Sequence, residues 1–321
     1  MSFYLDQAYI FGDSLSDTGN VFEFSGGFFP SSIPPFSYEP GRFSNGGVWV
    51  DRLTEQFDLE INPFIESFDP ETGIMFDLND CNDGINFAIG GATSDNDNVG
   101  VVPLGLEQQI DVFEAFAQTQ GSTETFSDDL FFLWVGANDY FSFINDNPDT
   151  PNVIEADFPE TKRERKNAVL EVVDINIGDA IQDIIDVGGE NIVVFNLPDL
   201  EDTPLAQDLT KKDRKTLKKL TKKHNKRLDK LVDEFEDHNP DVNFVEIDVN
   251  KLFDDILEDP QEYGFTNVTD NFTGVDLYTG NFQPPAMGDP HEYLFFDSVH
   301  LNNKAHQLIA DLVLEELIEE F

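Results

Sequence analysis

A serine follows Gly12-Asp13 directly after an apolar run. Near the other end of the chain an aspartate stands three residues ahead of a histidine, in Phe295-Phe296-Asp297-Ser298-Val299-His300. A serine hydroxyl becomes a nucleophile when an imidazole can take its proton. The imidazole does this best when a carboxylate fixes its tautomer and stabilises its protonated form. Ser14, His300 and Asp297 are thus candidate nucleophile, general base and orienting acid, provided the two ends of the chain meet. Each also has a plainer reading. Gly12, Asp13 and Ser14 could simply cap a helix after a strand, Asp297 could cap the last helix, and His300 could be an ordinary surface residue.

Two internal segments bear on that choice. Asn86-Phe87-Ala88-Ile89-Gly90-Gly91-Ala92-Thr93-Ser94 and Gly136-Ala137-Asn138-Asp139 each follow a candidate strand. Gly91 offers an unobstructed backbone N–H, and Asn138 a side-chain amide, to an oxyanion forming on a carbonyl attacked by Ser14, whose own N–H would help. Gly90 is the alternative donor. As turn residues these glycines and this asparagine would be unexceptional.

The elements that must bring these residues together can be read from periodicity. Short apolar, β-rich runs occur at 8–11, 85–89, 130–135, 191–197 and 242–247. Between them, three- and four-residue apolar spacing predicts helices at 48–57, 106–118, 167–187, 209–235 and 304–317. Strand–helix alternation points to a parallel sheet, and such sheets bind ligands at the carboxyl ends of their strands. Pro and Gly punctuate 21–47 and 252–292, which predicts two long loops near the site. Phe24, Phe28, Phe29, Phe36, Phe141 and Phe143 could line an acyl cleft, although with 31 Phe in the chain packing is the safer account of most.

The four chemistry-bearing segments resemble the four signature blocks of the GDSL, or SGNH, hydrolase family, in the family's order and spread along the whole chain. Gly41-Arg42-Phe43-Ser44-Asn45-Gly46, Trp49-Val50-Asp51 and Asn196-Leu197-Pro198-Asp199 are similar to the branch of longer microbial and plant members. The run 11–22, Tyr293-Leu294-Phe295 and the helix around His306 are similar to bacterial, particularly cyanobacterial, GDSL lipases and esterases. The resemblance implies an α/β fold, a three-layer α/β/α sandwich with a five-stranded parallel sheet of flavodoxin-like kind, as a single domain over 1–321. It implies Ser14 as nucleophile and first oxyanion donor, Gly91 as second, Asn138 as third, and Asp297 with His300 completing a triad that cleaves carboxylic esters through an acyl-serine. Acyl transfer by the same intermediate, or a non-catalytic lipid- or carbohydrate-binding module on the scaffold, are the rivals. The chain departs from the family in its acidity, in the lone Cys81, and in Leu301-Asn302 where many members read Pro-Thr.

Composition narrows the partners. With 40% hydrophobic residues a substantial core is expected. A formal net charge of −45 excludes nucleic acid as a ready partner. Fifteen of the nineteen cationic residues fall in 162–166 and 211–230, where a solvated helix face is the expected role. No run is long enough to span a membrane, and Met1 leads into the first strand without a basic and apolar leader. Whether the protein is secreted or cytoplasmic is left open by this. The acidic runs 95–98 and 77–83 lack the glycine and spacing of a calcium loop, and His224, His238, His291 and His306 have no ligand spacing. No metal or cofactor is expected, and the ester-cleaving unit is expected to be a monomer acting on a small-molecule or lipid ester. The acidity itself predicts salt-adapted stability: the unfolding midpoint should rise with added sodium chloride as self-repulsion is screened. A midpoint indifferent to ionic strength would remove that expectation.

Overall fold

The apolar runs become fully buried parallel strands because helices cover both faces of the sheet they form. The computed structural model describes residues 5, 7–31, 38–69, 74–75, 83–120, 126–144, 159, 161–276 and 283–321. In it β1 (Ala8–Gly12), β2 (Asn62–Pro63), β3 (Gly84–Asn86), β4 (Leu130–Trp134), β5 (Asn191–Phe195) and β6 (Asn243–Ile247) form one sheet in the order β2-β3-β1-β4-β5-β6. All pairings in this sheet are parallel. The five expected strands are joined by a sixth, the two-residue β2 at the edge. β1 lies between β3 and β4, so the chain leaves it once to each side, and the crevice of an open sheet falls at such a reversal. Gly12-Asp13-Ser14 sits at that point.

Alternation along β4 separates the two helical layers, since Phe131 and Phe132 must point to opposite faces. Trp49, on α1 (Trp49–Phe57), packs on Phe132 and Phe195. Phe113, on α2 (Leu106–Gln120), meets Tyr9, Phe11 and Phe131 on the other face. α3 (Gly178–Asp186) packs beside α2, and α4 (Lys211–His238) brings Phe235 onto Phe244 of β6. Leu217, Leu220, Leu228 and Leu231 of α4 are buried as their spacing predicts, and its lysines lie outward. The helical run ahead of α3 starts at Lys162, five residues before the expected position, and passes through a π-helical segment, Leu170–Ile177.

The stretch 252–292 is not the continuous loop that its Pro and Gly content predicts. Its first part belongs to α5 (Val249–Glu258), because Phe253 and Ile256 bury against the core. Further on, β7 (Asn267–Asn271) pairs in parallel with β8 (Tyr293–Phe295), just ahead of the aspartate–histidine segment. The chain closes with α6 (Asn303–Glu320), packed on α1. Phe36, Cys81 and most of the acidic run 77–83 lie outside the described residues.

One side chain fixes the end of β1. Gly12 has φ +154, and a Cβ there would stand 2.4 Å from the Trp134 carbonyl oxygen, so the strand can approach β4 this closely only with glycine. Its N–H donates to Gln109 Oε1 at 2.9 Å, and Gln109 Nε2 donates back to the Gly12 carbonyl at 2.8 Å. Gln109 is buried on α2. Gln109→Leu removes the partner of the buried Gly12 N–H, while the Gly12 carbonyl keeps its bond from Ile89 N–H at 3.0 Å, so the change should cost about 1–3 kcal/mol of unfolding free energy. Urea unfolding measures it, and a loss below ~1 kcal/mol would contradict the clamp.

Candidate active site

The turn after β1 is tight because Asp13 closes it twice. Its carbonyl accepts from the N–H groups of Ser16 and Asp17, both at 3.0 Å, and its Oδ1 accepts from Leu15 N–H at 3.0 Å. Ser14 is left at the crest with an N–H that donates to nothing among the described residues, an arrangement suited to receiving negative charge. At the other end of the chain, Phe296 N–H donates to the His300 carbonyl at 2.8 Å and Ser298 N–H to the Val275 carbonyl at 3.0 Å. These bonds hold Asp297–His300 as a compact turn between β8 and α6.

The two turns meet. His300 Nε2 lies 2.8 Å from Ser14 Oγ, and His300 Nδ1 lies 2.7 Å from Asp297 Oδ2. A carboxylate offers only acceptors, so Nδ1 carries the hydrogen and Nε2 is left to accept from the serine hydroxyl. Asp297 has no exposed surface, while Ser14 and His300 are 8% and 6% exposed, enough for a substrate to reach them.

Asp297 is held as an anion by donors on all sides. Oδ1 accepts from the N–H groups of Val299 at 2.9 Å and His300 at 2.8 Å. Oδ2 accepts from His300 Nδ1 and from the Tyr38 hydroxyl at 2.6 Å. Burial pushes this carboxyl upward, but the His300 charge and the bonds from His300, Tyr38 and Val299 outweigh it and leave it below the ordinary aspartate value. Nothing in the sequence around Tyr38 singles it out.

The segments after β3 and β4 reach the same rim. Gly90 N–H donates to Asp17 Oδ2 at 2.9 Å. Of the two adjacent glycines, therefore, Gly90 already spends its N–H within the fold, while Gly91 N–H donates to nothing among the described residues. Gly91 has φ +86, and a Cβ would come within 2.7 Å of Gly100 N, so the turn requires glycine. Asn138 donates its amide hydrogens to the Ala92 carbonyl at 2.9 Å and to Asp13 Oδ2 at 3.2 Å. Both partners are acceptors, which fixes the amide with its nitrogen toward Asp13 and Ser14.

The motif around 41–51 fastens this rim to the last helix. Phe43 packs against the His300 ring at 5.1 Å between centroids, and Ser44 Oγ donates to the Leu301 carbonyl at 2.9 Å. Asn45 Oδ1 accepts from Asn303 N–H at 2.8 Å, Arg42 pairs with Asp51 at 2.6 Å, and Trp49 Nε1 donates to Ser16 Oγ at 3.1 Å. Asn302, which departs from the family pattern, caps α6 by accepting from Ala305 N–H at 2.9 Å, a bond that threonine would also supply.

A cleft opens beside Ser14, walled by Leu15, Trp134, Phe141, Leu197, Phe253, Leu257 and Leu294, with Asp199, Asp202 and Asp254 also in its lining. Of the six phenylalanines considered from sequence, Phe141 alone lines it among the described residues. Phe24 and Phe28 are exposed, and Phe29 packs on Phe43. Asp199, Glu201 and Asp202 bring carboxylate oxygens within 4.8 Å of one another, and Lys218 and Arg214 reach into the group. In the run 95–98, Asp95 instead accepts from Thr93 Oγ1 at 2.6 Å and from Asp97 N–H at 2.9 Å, closing its own loop. His224 and His306 are core residues that burial holds neutral, each pushed down to about 3.

The chain matches the model of GDSL-like lipase/acylhydrolases over residues 9–313. It belongs to that family. A thermolabile hemolysin of Vibrio parahaemolyticus is 25% identical over 95% of this chain and 62% of its own length. A GDSL esterase/lipase of Arabidopsis thaliana is 25% identical over 94% of this chain and 79% of its own. A phosphatidylcholine-sterol acyltransferase of Aeromonas hydrophila is 31% identical over 80% of this chain and 62% of its own. The chain thus spans less than two thirds of two of these relatives. At the level of the GDSL family it is a carboxylic-ester hydrolase with an α/β SGNH fold. Among the described residues no helix is long and apolar enough to cross a membrane.

Burial gives this GDSL protein a defined pH response. It pushes Asp13 up to about 6, and Asp139, whose carboxylate accepts from Ser94, up to about 7. Burial and neighbouring acids raise Glu246 to about 7. Each of these acids binds its proton more tightly in the fold than in the unfolded chain and so lowers stability as pH rises from about 4 to about 7, while His224 and His306, held neutral, act in the opposite sense below about pH 6.5 and reduce the slope without reversing it. At fixed ionic strength the melting midpoint should be higher near pH 5 than near pH 8, and Asp139→Asn should flatten the slope. A higher midpoint at the alkaline end would contradict this assignment.

Proposed function

We propose that Ser14, His300 and Asp297 are the catalytic triad of an ester hydrolase. Ser14 Oγ attacks the ester carbonyl carbon while its proton passes to His300 Nε2. The carbonyl oxygen becomes an oxyanion received by the N–H groups of Ser14 and Gly91 and by Asn138 Nδ2, which gives up its longer bond to Asp13. Collapse breaks the bond to the alcohol oxygen, which takes the proton from His300, and an acyl-serine remains. Water then gives a proton to Nε2 and adds to the acyl carbon. Ser14 leaves with that proton, and the carboxylic acid is released. The observation that carries this reading is the continuous chain from Ser14 Oγ through the His300 ring to Asp297, with contacts of 2.8 and 2.7 Å, at the mouth of an apolar cleft.

The cleft walls suit the acyl chain of a small-molecule or lipid ester, buried for the gain of apolar surface removed from water. Every group invoked comes from one chain, so the reading requires no second copy and treats 1–321 as one catalytic domain. A second reading, transfer of the acyl group to an alcohol, is favoured by the relative named as an acyltransferase. Product analysis with an added alcohol separates it from hydrolysis.

A panel of p-nitrophenyl esters of increasing chain length tests the assignment. Ser14→Ala should abolish turnover, and Asn138→Ala should lower kcat by about a hundredfold with a smaller change in KM. Undiminished hydrolysis by Ser14→Ala would reject the triad.

A further inference from the structure

We propose that Tyr38 is a positioning residue of this triad, its hydroxyl sharing Asp297 Oδ2 with the His300 ring and so limiting how strongly the carboxylate holds the protonated imidazole. The inference rests on the reading of Ser14, His300 and Asp297 as the triad.

Two donors converge on one oxygen. The Tyr38 hydroxyl is 2.6 Å from Oδ2 and His300 Nδ1 is 2.7 Å from it. The two backbone N–H groups on Oδ1 complete four donors, which fills the acceptor capacity of a carboxylate. Of the four, only the Tyr38 bond can be removed without disturbing the backbone or the ring itself. Water cannot replace it readily, because Asp297 is fully buried and Tyr38 is 3% exposed. Burial, and then the negative charge of Asp297, push the ionisation of Tyr38 far upward, so the phenol stays a neutral donor.

The geometry of the phenol is fixed independently of the bond. Its ring stands edge-on to Phe296, the residue before Asp297, at 5.1 Å and 90°. The following loop is tied by Glu39 N–H to the Ser44 carbonyl at 2.9 Å, and Ser44 Oγ reaches the Leu301 carbonyl. Tyr38 therefore arrives on a segment fastened to both sides of the histidine turn. It does not line the cleft beside Ser14.

A hydrogen bond to an anion draws on its charge, and a charge shared with the phenol attracts the imidazolium less. Removing the hydroxyl leaves Oδ2 to His300 alone. The ring then keeps its proton to higher pH, and the carboxylate loses one of the bonds that set its orientation. Asp13 and His306 also act on His300 electrostatically, and both remain in place when only Tyr38 is changed.

Tyr38→Phe keeps the ring on Phe296, and kcat and KM for a soluble p-nitrophenyl ester are followed from acid to alkaline pH. Expected are an unchanged KM, a kcat lowered by about three- to tenfold, and an acid limb of kcat/KM displaced upward by about half to one pH unit. Fluorinated tyrosine placed at 38, a stronger donor of nearly the same shape, should move the limb the other way. It also keeps the test open should Tyr38→Phe not fold. A lowered kcat with an unmoved acid limb would reduce Tyr38 to packing and overturn the proposal. His300→Gln, run alongside, separates the two levels. If His300→Gln is inactive while Tyr38→Phe behaves as the native chain, the Tyr38 inference alone falls. If His300→Gln still turns over, both fall.

Discussion

The contact between the Ser14 hydroxyl and the His300 ring joins residues 286 positions apart, and much of the fold can be understood as what makes that contact possible. The serine is delivered by β1, at the point where the chain leaves the sheet first to one side and then to the other. The histidine is delivered by the turn before α6. Neither element touches the other through the sheet ladder, so their relative position depends on what packs between them. That is α1 with the loop ahead of it. α1 lies on α6, Trp49 bonds to Ser16 two residues after Ser14, and Phe43, Ser44 and Asn45 grip the turn and the helix start after it. A packing interface between two helices therefore helps to set the distance between Ser14 and His300, and under the proposed mechanism a displacement of about 1 Å there is enough to impair proton transfer.

What was legible from the sequence was whatever a short segment carries by itself. The strand-then-turn pattern around Ser14, the aspartate three residues before His300, and the amphipathic periods of the major helices all depend on neighbours within one or two turns. Residues whose partners are distant were not legible. Tyr38 acts on a residue 259 positions away and Gln109 on one 97 positions away, and neither has a local pattern to mark it. The sequence reading preferred Gly91 to Gly90 as donor without a physical reason; the bond by which Asp17 takes the Gly90 hydrogen lies across 73 positions and was not legible. The stretch 252–292 misled for another reason. Its dense Pro and Gly mask the apolar spacing of α5 at its start, and β7 is too exposed to show alternation.

The basic residues illustrate the same limit. Their concentration in two segments is plain in the sequence, yet their use is divided. Lys218 and Arg214 neutralise the acidic group at the cleft, and Arg227 ties α4 to Asp174. Others simply face solvent. Exposed pairs of this kind contribute little to stability, typically below about 1 kcal/mol, so their value lies in limiting repulsion among acids that the cleft brings together.

Acidic groups buried at the rim are not equivalent, and the difference follows from their donors. Asp297 faces the imidazole, two N–H groups and a phenol, and is held below the ordinary value. Asp13 has one N–H and the longer amide contact to Asn138, and burial prevails over them. Environments that push carboxyl groups apart in this way assign their roles. Asp297 can stabilise the imidazolium because it remains charged when that cation forms. Under the proposed mechanism Asp13 stands beside the place where the oxyanion develops, and with a value raised only to about 6 it is mostly ionised above pH 7, where its charge opposes a second anion. What Asp13 supplies at that position is the contact that orients the Asn138 amide, and only below about pH 6 does it do so without an opposing charge.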